Sequence, residues 1–370
     1  MDNQINFNVN TPSLLMDIDK LENNILEAVN FSKEYNLNYR PHIKTHKSIK
    51  IAKKQIDYGA IGVTVATVGE AEVMAEGGIK DILIAYTVTS TLKLERIKHI
   101  MQKSKITLSV DSKEQVVLLN DVFKEHQQKL NVWIEINSGL NRSGVEPNEA
   151  ANLAKYIKNF SSLTIDGVFT HAGHAYAALS DEEINNIAIK EANTVLESAE
   201  LCERSGIPIQ SRSIGSTPTY KIGGKIEGIT EIRPGNSVFF DMVQVGLNVA
   251  SIEQCALTIL STIASVKQGR IVIDAGSKTL NLDKGAHGND TVIGHGYIKE
   301  YPEFSIGRLS EEHGMIDFDN NKSINMKVGG QITIVPNHAC TVVNLFDSYL
   351  VHRKGKVIEE WDVDARGKVY

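Results

Sequence analysis

Hydrophobic and polar positions follow a repeated order from residue 14 to about residue 250. Short runs of apolar and β-branched residues are followed by longer stretches in which apolar residues recur every three or four positions. The runs are typical of buried strands and the stretches of amphipathic helices, so their alternation predicts parallel strands joined by crossover helices. Nine segments are candidate strands: 14–18, 37–43, 61–66, 81–86, 106–110, 132–137, 164–171, 211–215 and 231–235. A barrel of the (β/α)8 type needs eight strands, so one candidate is surplus.

Signals at helix ends support this alternation. Asp19 followed by Glu22 has the spacing of a capping box before the first helical stretch, and Ser112 followed by Gln115 caps a later one. The stretch 69–78 ends in paired glycines, which is typical of a helix C-terminus. The predicted fold class for this part of the chain is therefore α/β, with the architecture of a (β/α)8 TIM-type barrel.

The pattern changes after Gln254, where strands follow one another with glycine turns and without long helical stretches. The strand segments are 256–266, 269–277, 324–336 and 348–361. This predicts a second, C-terminal all-β domain. We predict a barrel over residues 13–254 and a β domain over 255–370, and we assign residues 1–12 to the β domain because chain ends often lie close together.

Composition and charge narrow the class of protein. The chain has 370 residues, 42% of them hydrophobic, which is more than one typical core requires. The net charge of -6 comes from interspersed residues without a basic block, so nucleic acid and membrane surfaces are not expected partners. No apolar run reaches the length of a membrane span and residues 1–12 do not resemble a signal peptide, so we expect a cytoplasmic protein.

The most concentrated set of candidate catalytic residues is the octapeptide RPHIKTHK at 40–47, at the end of a predicted barrel strand. Active sites of such barrels lie at the carboxyl ends of the strands. There Lys44, partly removed from water and beside other cations, could attack an aldehyde as a neutral amine and form a Schiff base. The alternative interpretation is a solvated basic loop.

Two further strand ends carry polar groups. Arg142 lies between two glycines after strand 132–137 and could hold an anionic oxygen of a cofactor ring. After strand 164–171, His171, His174 and Tyr176 supply acid, base and stacking groups. The last two strands are followed by SIGSTPT (213–219) and RPGNS (233–237), whose small residues and free N–H groups suit a phosphate. Each loop alone is an ordinary turn, and only their coincidence indicates a site.

A candidate metal site lies in the predicted β domain. In VPNHAC, His338 and Cys340 are two positions apart, so on an extended strand both side chains would point to one face. Imidazole and thiolate favour zinc, and two protein ligands leave positions open for a substrate oxygen. The alternative is a buried histidine beside a hydrophobic cysteine.

Taken together, these motifs resemble the D-threonine aldolase and D-serine dehydratase family over nearly the whole chain. The motifs are TPSLLMDIDKLENNI, RPHIKTHK, VTVATVGEAEV, NSGLNRSGV, GSTPT, EIRPGN, DAGSK, SEEHG, VPNHAC and VDARG. The resemblance implies an alanine-racemase-like fold, in which a pyridoxal-phosphate barrel precedes a β domain. It implies Lys44 as the Schiff-base lysine, Arg142 beside the cofactor ring and Tyr176 near the reacting centre. The residues implied to surround the phosphate are Ser213, Gly215, Ser216, Gly235 and Asn236.

The resemblance also implies a divalent metal on His338 and Cys340, with zinc expected and manganese or magnesium as alternatives. It implies a homodimer with the active site at the interface, so that the partner subunit's His338 would reach Lys44. The expected reaction is the D-threonine aldolase type, which cleaves a 3-hydroxy-D-amino acid to glycine and an aldehyde. The alternative is a D-serine or 3-hydroxyaspartate dehydratase, which forms a 2-oxo acid and ammonia. The cysteine ligand resembles the dehydratase, whereas the wider motif set favours the aldolase. Racemases and non-catalytic pyridoxal-phosphate-binding proteins are also considered, but they do not need the His338–Cys340 pair.

Overall fold

The computed structural model describes residues 7–283, 292–319 and 324–370. The chain forms two compact units. The barrel unit comprises residues 26–44, 49–235 and 367–370, and the strand unit comprises residues 1–25, 45–48 and 236–366. Of the segment 1–12 assigned to the β domain, residues 1–6 lie outside the described residues.

The first strand, β1 (Ser13–Asp17), belongs to the strand unit and not to the barrel. It pairs antiparallel with residues 257–260 and parallel with residues 350–352. The assignment of segment 14–18 to the barrel was therefore wrong, and this segment is the surplus strand. Its three central residues are all buried, and such a continuous apolar run fits the middle of either sheet.

Within the described residues, the barrel unit contains eight parallel strands in the order of the chain. They are β2 (Asn38–Tyr39), β3 (Val63–Val65), β4 (Asp81–Thr87), β5 (Lys105–Val110), β6 (Leu130–Glu135), β7 (Leu163–Phe169), β8 (Ser211–Ile214) and β9 (Glu231–Ile232). The last strand pairs with β2, and a parallel bridge between His42 and Thr64 joins the end of β2 to β3. The predicted α/β barrel is confirmed.

Helices alternate with the barrel strands along the chain. They are α1 (Ile18–Glu34), α2 (Ile49–Tyr58), α3 (Val68–Glu76), α4 (Thr91–Met101), α5 (Lys113–Phe123), α6 (Pro147–Ile157), α7 (Asp181–Arg204) and α8 (Tyr220–Gly223). Helix α1 precedes the first barrel strand, and α2 to α8 connect the barrel strands as the alternation predicts. Ser112 caps α5 as predicted, because its side chain accepts from the backbone N–H of Gln115. The cap of α1 is Asp17 and not Asp19, since the carboxylate of Asp17 accepts from the N–H groups of Asp19 and Lys20.

The strand unit carries the predicted β structure. Its further strands are β10 (Leu257–Lys267), β11 (Arg270–Ile273), β12 (Tyr297–Ile298), β13 (Arg308–Leu309), β14 (Gly314–Asp317), β15 (Gln331–Val335), β16 (Ser348–Arg353) and β17 (Lys356–Asp362). The short helices α9 (Met242–Gly246), α10 (Ser277–Leu280) and α11 (Ala339–Val343) accompany them. Phe7 packs against Leu15 and Leu260 in this unit. Strands β12 to β14 have two to four residues and show no periodicity that could have predicted them.

The limits of the compact units differ from the predicted domain ranges, because the unit boundary falls within α1 and at the segment 45–48. The division into domains at 254/255 stays a prediction. Among the described residues, none of the helices has the length and apolar character required to cross a membrane.

Candidate active site

Lys44 lies directly after β2, in the 3-10 helix Ile43–Thr45, where it is partly buried. Its backbone N–H donates to Nδ1 of His42 at 3.4 Å. The backbone N–H of His42 in turn donates to the carbonyl of Pro234, which brings the segment before Gly235 beside it. The end of β2 and the end of β9 therefore meet at the same edge of the barrel, where a barrel enzyme carries its active site.

Two histidines of the barrel unit report a strongly positive environment around this lysine. Burial lowers the pKa of His42 well below its ordinary value, and the positive charges of Lys44 and Arg233 lower it further. Burial and the charge of Lys44 likewise lower the pKa of His171, against a raising effect of its bond to Gly215. Both imidazoles are therefore neutral at neutral pH, and an anion is the ligand that this cluster would accept.

The tautomer of neutral His171 follows from its hydrogen bond. Its Nδ1 lies 2.6 Å from the carbonyl oxygen of Gly215. A carbonyl can only accept, so Nδ1 carries the hydrogen and Nε2 carries the lone pair. His171 therefore presents a proton acceptor at Nε2, beside Gly173, where an added Cβ would lie 3.0 Å away.

Arg233 is the residue that sequence reasoning missed at this edge. It is buried, its Nη2 donates to the carbonyl of Thr170 at 2.5 Å, and its Nη1 donates to the hydroxyl of Ser213. Burial lowers the pKa of Arg233 to about 10, against the raising effect of Glu231. The motif EIRPGN contains this arginine. Neither the hydrophobic periodicity nor its spacing from other polar residues distinguishes it from a surface residue.

Of the residues predicted to hold a phosphate, Ser213 and Gly215 have their groups engaged within the barrel unit. The hydroxyl of Ser213 donates to Glu231 at 2.6 Å, and the N–H of Gly215 donates to Glu191 at 3.1 Å. A Cβ at Gly215 would lie 2.9 Å from that of Arg233, so this glycine is required by close packing. Direct phosphate contacts of Ser213 and Gly215 stay predictions.

Glu191 of α7 holds the loop that contains Ser216. Its buried carboxylate accepts from the N–H of Ala172 at 3.2 Å, the N–H of Gly215 and the hydroxyl of Thr219 at 2.6 Å. Thr219 also lies 2.8 Å from the hydroxyl of Ser216. One helical carboxylate thus fixes the loops that follow both β7 and β8.

Arg142 and Tyr176 lie in loops after β6 and β7. Arg142 is exposed and lies 3.8 Å from a carboxylate oxygen of Glu135, and its charge contributes to the lowered pKa of His42 and His171. Tyr176 is partly buried in the short helix Gly173–Ala177. Their contacts with a cofactor or substrate stay predictions.

In the strand unit, His338 and Cys340 come together, but not on a strand. The strand β15 ends at Val335, His338 precedes α11 in an extended conformation, and Cys340 lies in the first turn of that helix. The strand geometry that we used to place both side chains on one face was therefore wrong. They still interact: burial lowers the pKa of His338, but the charge of Cys340 and hydrogen bonds to Asp283 and Cys340 raise it well above its ordinary value.

Both members of this pair have a further partner in the strand unit. Nδ1 of His338 lies 3.0 Å from a carboxylate oxygen of Asp283. Sγ of Cys340 lies 3.1 Å from the hydroxyl of Thr45, the residue that follows Lys44 in the chain. Sequence reasoning missed both partners, because Asp283 and Thr45 are far from the pair in the sequence.

Asn236 is held by the same part of the strand unit. Its side-chain amide donates to the buried carboxylate of Asp241, which also accepts from the N–H of Ala339 at 2.8 Å and of Gln244 at 3.2 Å. Burial raises the pKa of Asp241, against the lowering effect of His338. Asp241 therefore ties the segment after β9 to the start of α11.

The residues present fit a cofactor and a metal ion. Lys44 has an amine that can react with an aldehyde. Arg142 and Arg233 make this edge of the barrel positive, which suits a phosphate group, and the histidines at the same edge are neutral. For a metal, His338 and Cys340 offer an imidazole and a thiol, and a divalent cation can take the place of the proton that the thiol loses on binding. In the described part of the chain, no group of three or more His, Cys, Asp or Glu side chains could hold a metal ion.

Comparisons with known proteins identify the family. A model described as "Alanine racemase, N-terminal domain" matches residues 16–243, and one described as "Putative serine dehydratase domain" matches residues 256–352. The chain belongs to the D-serine dehydratase and D-threonine aldolase family. Members of this family are pyridoxal-phosphate-dependent lyases with the alanine-racemase-like fold.

Within this family, similar curated relatives differ in the reaction that their names state. A 3-hydroxy-D-aspartate aldolase of Paracoccus denitrificans (strain Pd 1222) is 31% identical, over 98% of this chain and 93% of its own length. A D-threo-3-hydroxyaspartate dehydratase of Delftia sp. (strain HT23) is 28% identical, over 96% of this chain and 97% of its own.

Solved structures of the family confirm the fold. The metal-free form of a D-threo-3-hydroxyaspartate dehydratase variant, in which a cysteine is replaced by alanine, superposes with a TM-score of 0.91 at 28% identity, covering 98% of this chain and 99% of that one. A D-threonine aldolase from Filomicrobium marinum superposes with a TM-score of 0.90 at 28% identity, covering 98% and 96%.

Proposed function

We propose that the protein is a metal-dependent pyridoxal-phosphate lyase that removes water from 3-hydroxy-D-amino acids such as D-threo-3-hydroxyaspartate or D-serine, with release of a 2-oxo acid and ammonia. The observation that carries this proposal is the interacting pair of His338 and Cys340. A cysteine variant of the related dehydratase is described in a metal-free form, which connects a cysteine of that enzyme with its metal. The thiolate ligand thus favours the dehydratase over the aldolase.

In this proposal Lys44 has two functions. Its amine holds the cofactor aldehyde in the resting enzyme, and it accepts the proton from the α-carbon once the substrate amine has replaced it. The closeness of Lys44 to His42, whose pKa its charge lowers, supports these functions. When bound, pyridoxal phosphate supplies the conjugated system that takes up the electrons of the broken C–H bond.

His338 and Cys340 would hold the metal ion, which as a Lewis acid assists departure of the β-hydroxyl group. Zinc is the metal that an imidazole and thiolate pair favours, with manganese and magnesium as less suited alternatives. His171 has a lone pair at Nε2, and we assign it general acid and base catalysis on the substrate. Tyr176 is proposed to lie near the reacting centre. Arg142, Ser213, Gly215, Ser216, Gly235 and Asn236 keep their proposed places around the cofactor.

The contact of Thr45 with Cys340 bears on which chain supplies the metal ligands. Both residues belong to one chain and lie 3.1 Å apart, and Thr45 is bonded directly to Lys44. Metal ligands from the same chain and the partner subunit's His338 implied by the resemblance are two arrangements that mixed dimers can separate. We keep the homodimer and a cytoplasmic location as proposals.

Retro-aldol cleavage of the same substrates is the second candidate. It is supported by the Paracoccus denitrificans aldolase at 31% identity and by the wider set of motifs. The same residues would serve it, with a base that removes the hydroxyl proton in place of the α-proton. A racemase or a non-catalytic cofactor-binding protein has no use for the metal pair.

Product analysis tests the proposal. Purified protein loaded with pyridoxal phosphate and zinc is incubated with D-threo-3-hydroxyaspartate, D-serine and D-threonine, and ammonia, 2-oxo acids, glycine and aldehydes are measured. We expect equal amounts of ammonia and 2-oxo acid, whereas glycine with an aldehyde would establish the aldolase. Lys44→Ala should lose both the visible absorbance of bound cofactor and turnover. Turnover that persists in this variant would contradict the role of Lys44.

A further inference from the structure

Asp283 has a carboxylate within hydrogen-bond distance of His338, a proposed metal ligand. Its Oδ2 lies 3.0 Å from Nδ1 of His338, and the carboxylate is about one third exposed, at 30%. The pairing falls outside every motif that the sequence singled out. The arrangement is typical of metal sites, because metal-bound histidines commonly donate their second ring N–H to a carboxylate.

Local backbone structure explains how Asp283 reaches this place. The short helix α10 ends at Leu280, and Asn281 follows with a left-handed φ of 63°. The side-chain oxygen of Asn281 then accepts from the N–H of Leu282 at 2.6 Å and of Asp283 at 3.1 Å. The side chain of Asn281 closes this turn, so the residues that precede Asp283 fix its position.

We propose that Asp283 is a positioning residue that fixes His338 for metal binding. An ionised carboxylate has no hydrogen to donate, so Nδ1 of His338 carries the hydrogen of this bond and Nε2 is left with the lone pair that a metal requires. The bond also fixes the orientation of the ring relative to Cys340. This inference rests on the proposed metal site and adds a residue that selects the ligand atom of His338.

The test measures metal affinity and not only turnover. The dissociation constant for zinc is determined by competition with a chromophoric chelator, on the purified protein without substrate. Asp283→Ala is expected to bind zinc about 10 to 100 times more weakly, the range found when such an outer carboxylate is removed. Asp283→Asn, which keeps an acceptor but not the charge, is expected to fall between the wild type and Asp283→Ala.

A purely structural role would not give this pattern. Turnover of Asp283→Ala should recover as zinc is raised, because the catalytic groups remain, and its urea unfolding in chelator should match that of the wild type. Asp317→Asn is the matched control, since Asp317 is a partly exposed aspartate of the same unit that pairs with Arg308. It should leave zinc affinity unchanged.

Two further variants separate a failure of this inference from a failure of the metal site. His338→Ala and Cys340→Ser should each lose zinc. If they lose zinc while Asp283→Ala and Asp283→Asn bind it within twofold of the wild type, the role of Asp283 is overturned and the metal site stands. If none of the four variants changes zinc affinity, the proposed metal site itself is overturned.

Discussion

Thr45 shows how one side chain contributes to two parts of the proposed chemistry. Its hydroxyl lies 3.1 Å from Sγ of Cys340, and its backbone continues directly from Lys44. A thiolate can only accept, so with a metal bound the hydroxyl of Thr45 donates to the sulfur. Hydrogen bonds to charged groups contribute about 1.5 to 3 kcal/mol.

We therefore predict that Thr45→Val weakens zinc binding by roughly tenfold or more, because the sulfur loses this donor. Thr45→Ser keeps the hydroxyl and should stay close to the wild type. In cobalt-substituted protein, the sulfur-to-metal absorption band of Thr45→Val should also move to longer wavelength. Identical bands and affinities in the two variants would show that the hydroxyl does not act on the thiolate.

His171 supports a prediction about pH. Because burial and the charge of Lys44 lower its pKa in the folded protein, the unfolded chain binds more protons below about pH 6.5, the ordinary pKa of histidine. The free energy of unfolding therefore falls as pH falls through 6.5. For one such histidine the loss between pH 7.5 and pH 5.5 is at most about 1.4 kcal/mol.

In His171→Gln this part of the loss should be absent, because glutamine does not titrate. The measurement is urea unfolding of both proteins at pH 7.5 and 5.5, with His99→Gln as the control, since His99 is an exposed histidine on the same unit. An equal pH dependence of wild type and His171→Gln would contradict the lowered pKa.

At the scale of elements, helix α7 positions loops of the site through one residue. Its N-terminus is capped by Ser180, whose side chain accepts from the N–H of Glu183 at 3.1 Å. Glu191, further along the helix, accepts from three groups of the loops after β7 and β8. The helix thereby fixes the backbone near His171 and Ser216, although neither residue belongs to it.

We predict that Glu191→Gln weakens cofactor binding and lowers the free energy of unfolding by about 1 to 3 kcal/mol. In the wild type three donors share two carboxylate oxygens, whereas the amide of glutamine has a single acceptor oxygen. The control is Glu200→Gln on the same helix, where the exposed carboxylate pairs only with Arg204. Cofactor release on dilution, followed by absorbance, and thermal unfolding check both effects. Equal behaviour of the two variants would contradict the role of Glu191.

At the scale of the whole molecule, the chain that supplies the metal ligands can be tested by complementation. Lys44→Ala and Cys340→Ala are each expected to be inactive, and they are expressed together with different affinity tags so that mixed dimers can be purified. If Lys44 and Cys340 of the same chain form one site, every site of a mixed dimer lacks one group.

We predict that such mixed dimers are as inactive as either parent. If the metal ligands came from the partner subunit, one site of each mixed dimer would be intact and about half of the wild-type activity would return. Recovery of both tags in one complex shows that mixed dimers have formed, and a single-chain mass of 40.8 kDa in sedimentation would contradict the homodimer.

The sequence alone was sufficient for the barrel and for most of its strands. Periodic apolar patterns are a local property, so β4, β5, β6 and β7 could be placed to within two residues from the chain itself. The same pattern could not assign β1 to a sheet, because a continuous apolar strand is compatible with any sheet whose two faces are both covered.

For the site, sequence determined which residue types were available, and tertiary structure decided which of them meet. The octapeptide at 40–47 and the pair of His338 and Cys340 were visible as motifs. Arg233, Glu191 and Asp283 were not, since each acts through a partner at least 19 residues away in the chain. Hydrogen bonding and burial depend on distance in space, which spacing along a sequence does not encode beyond a single helix or strand.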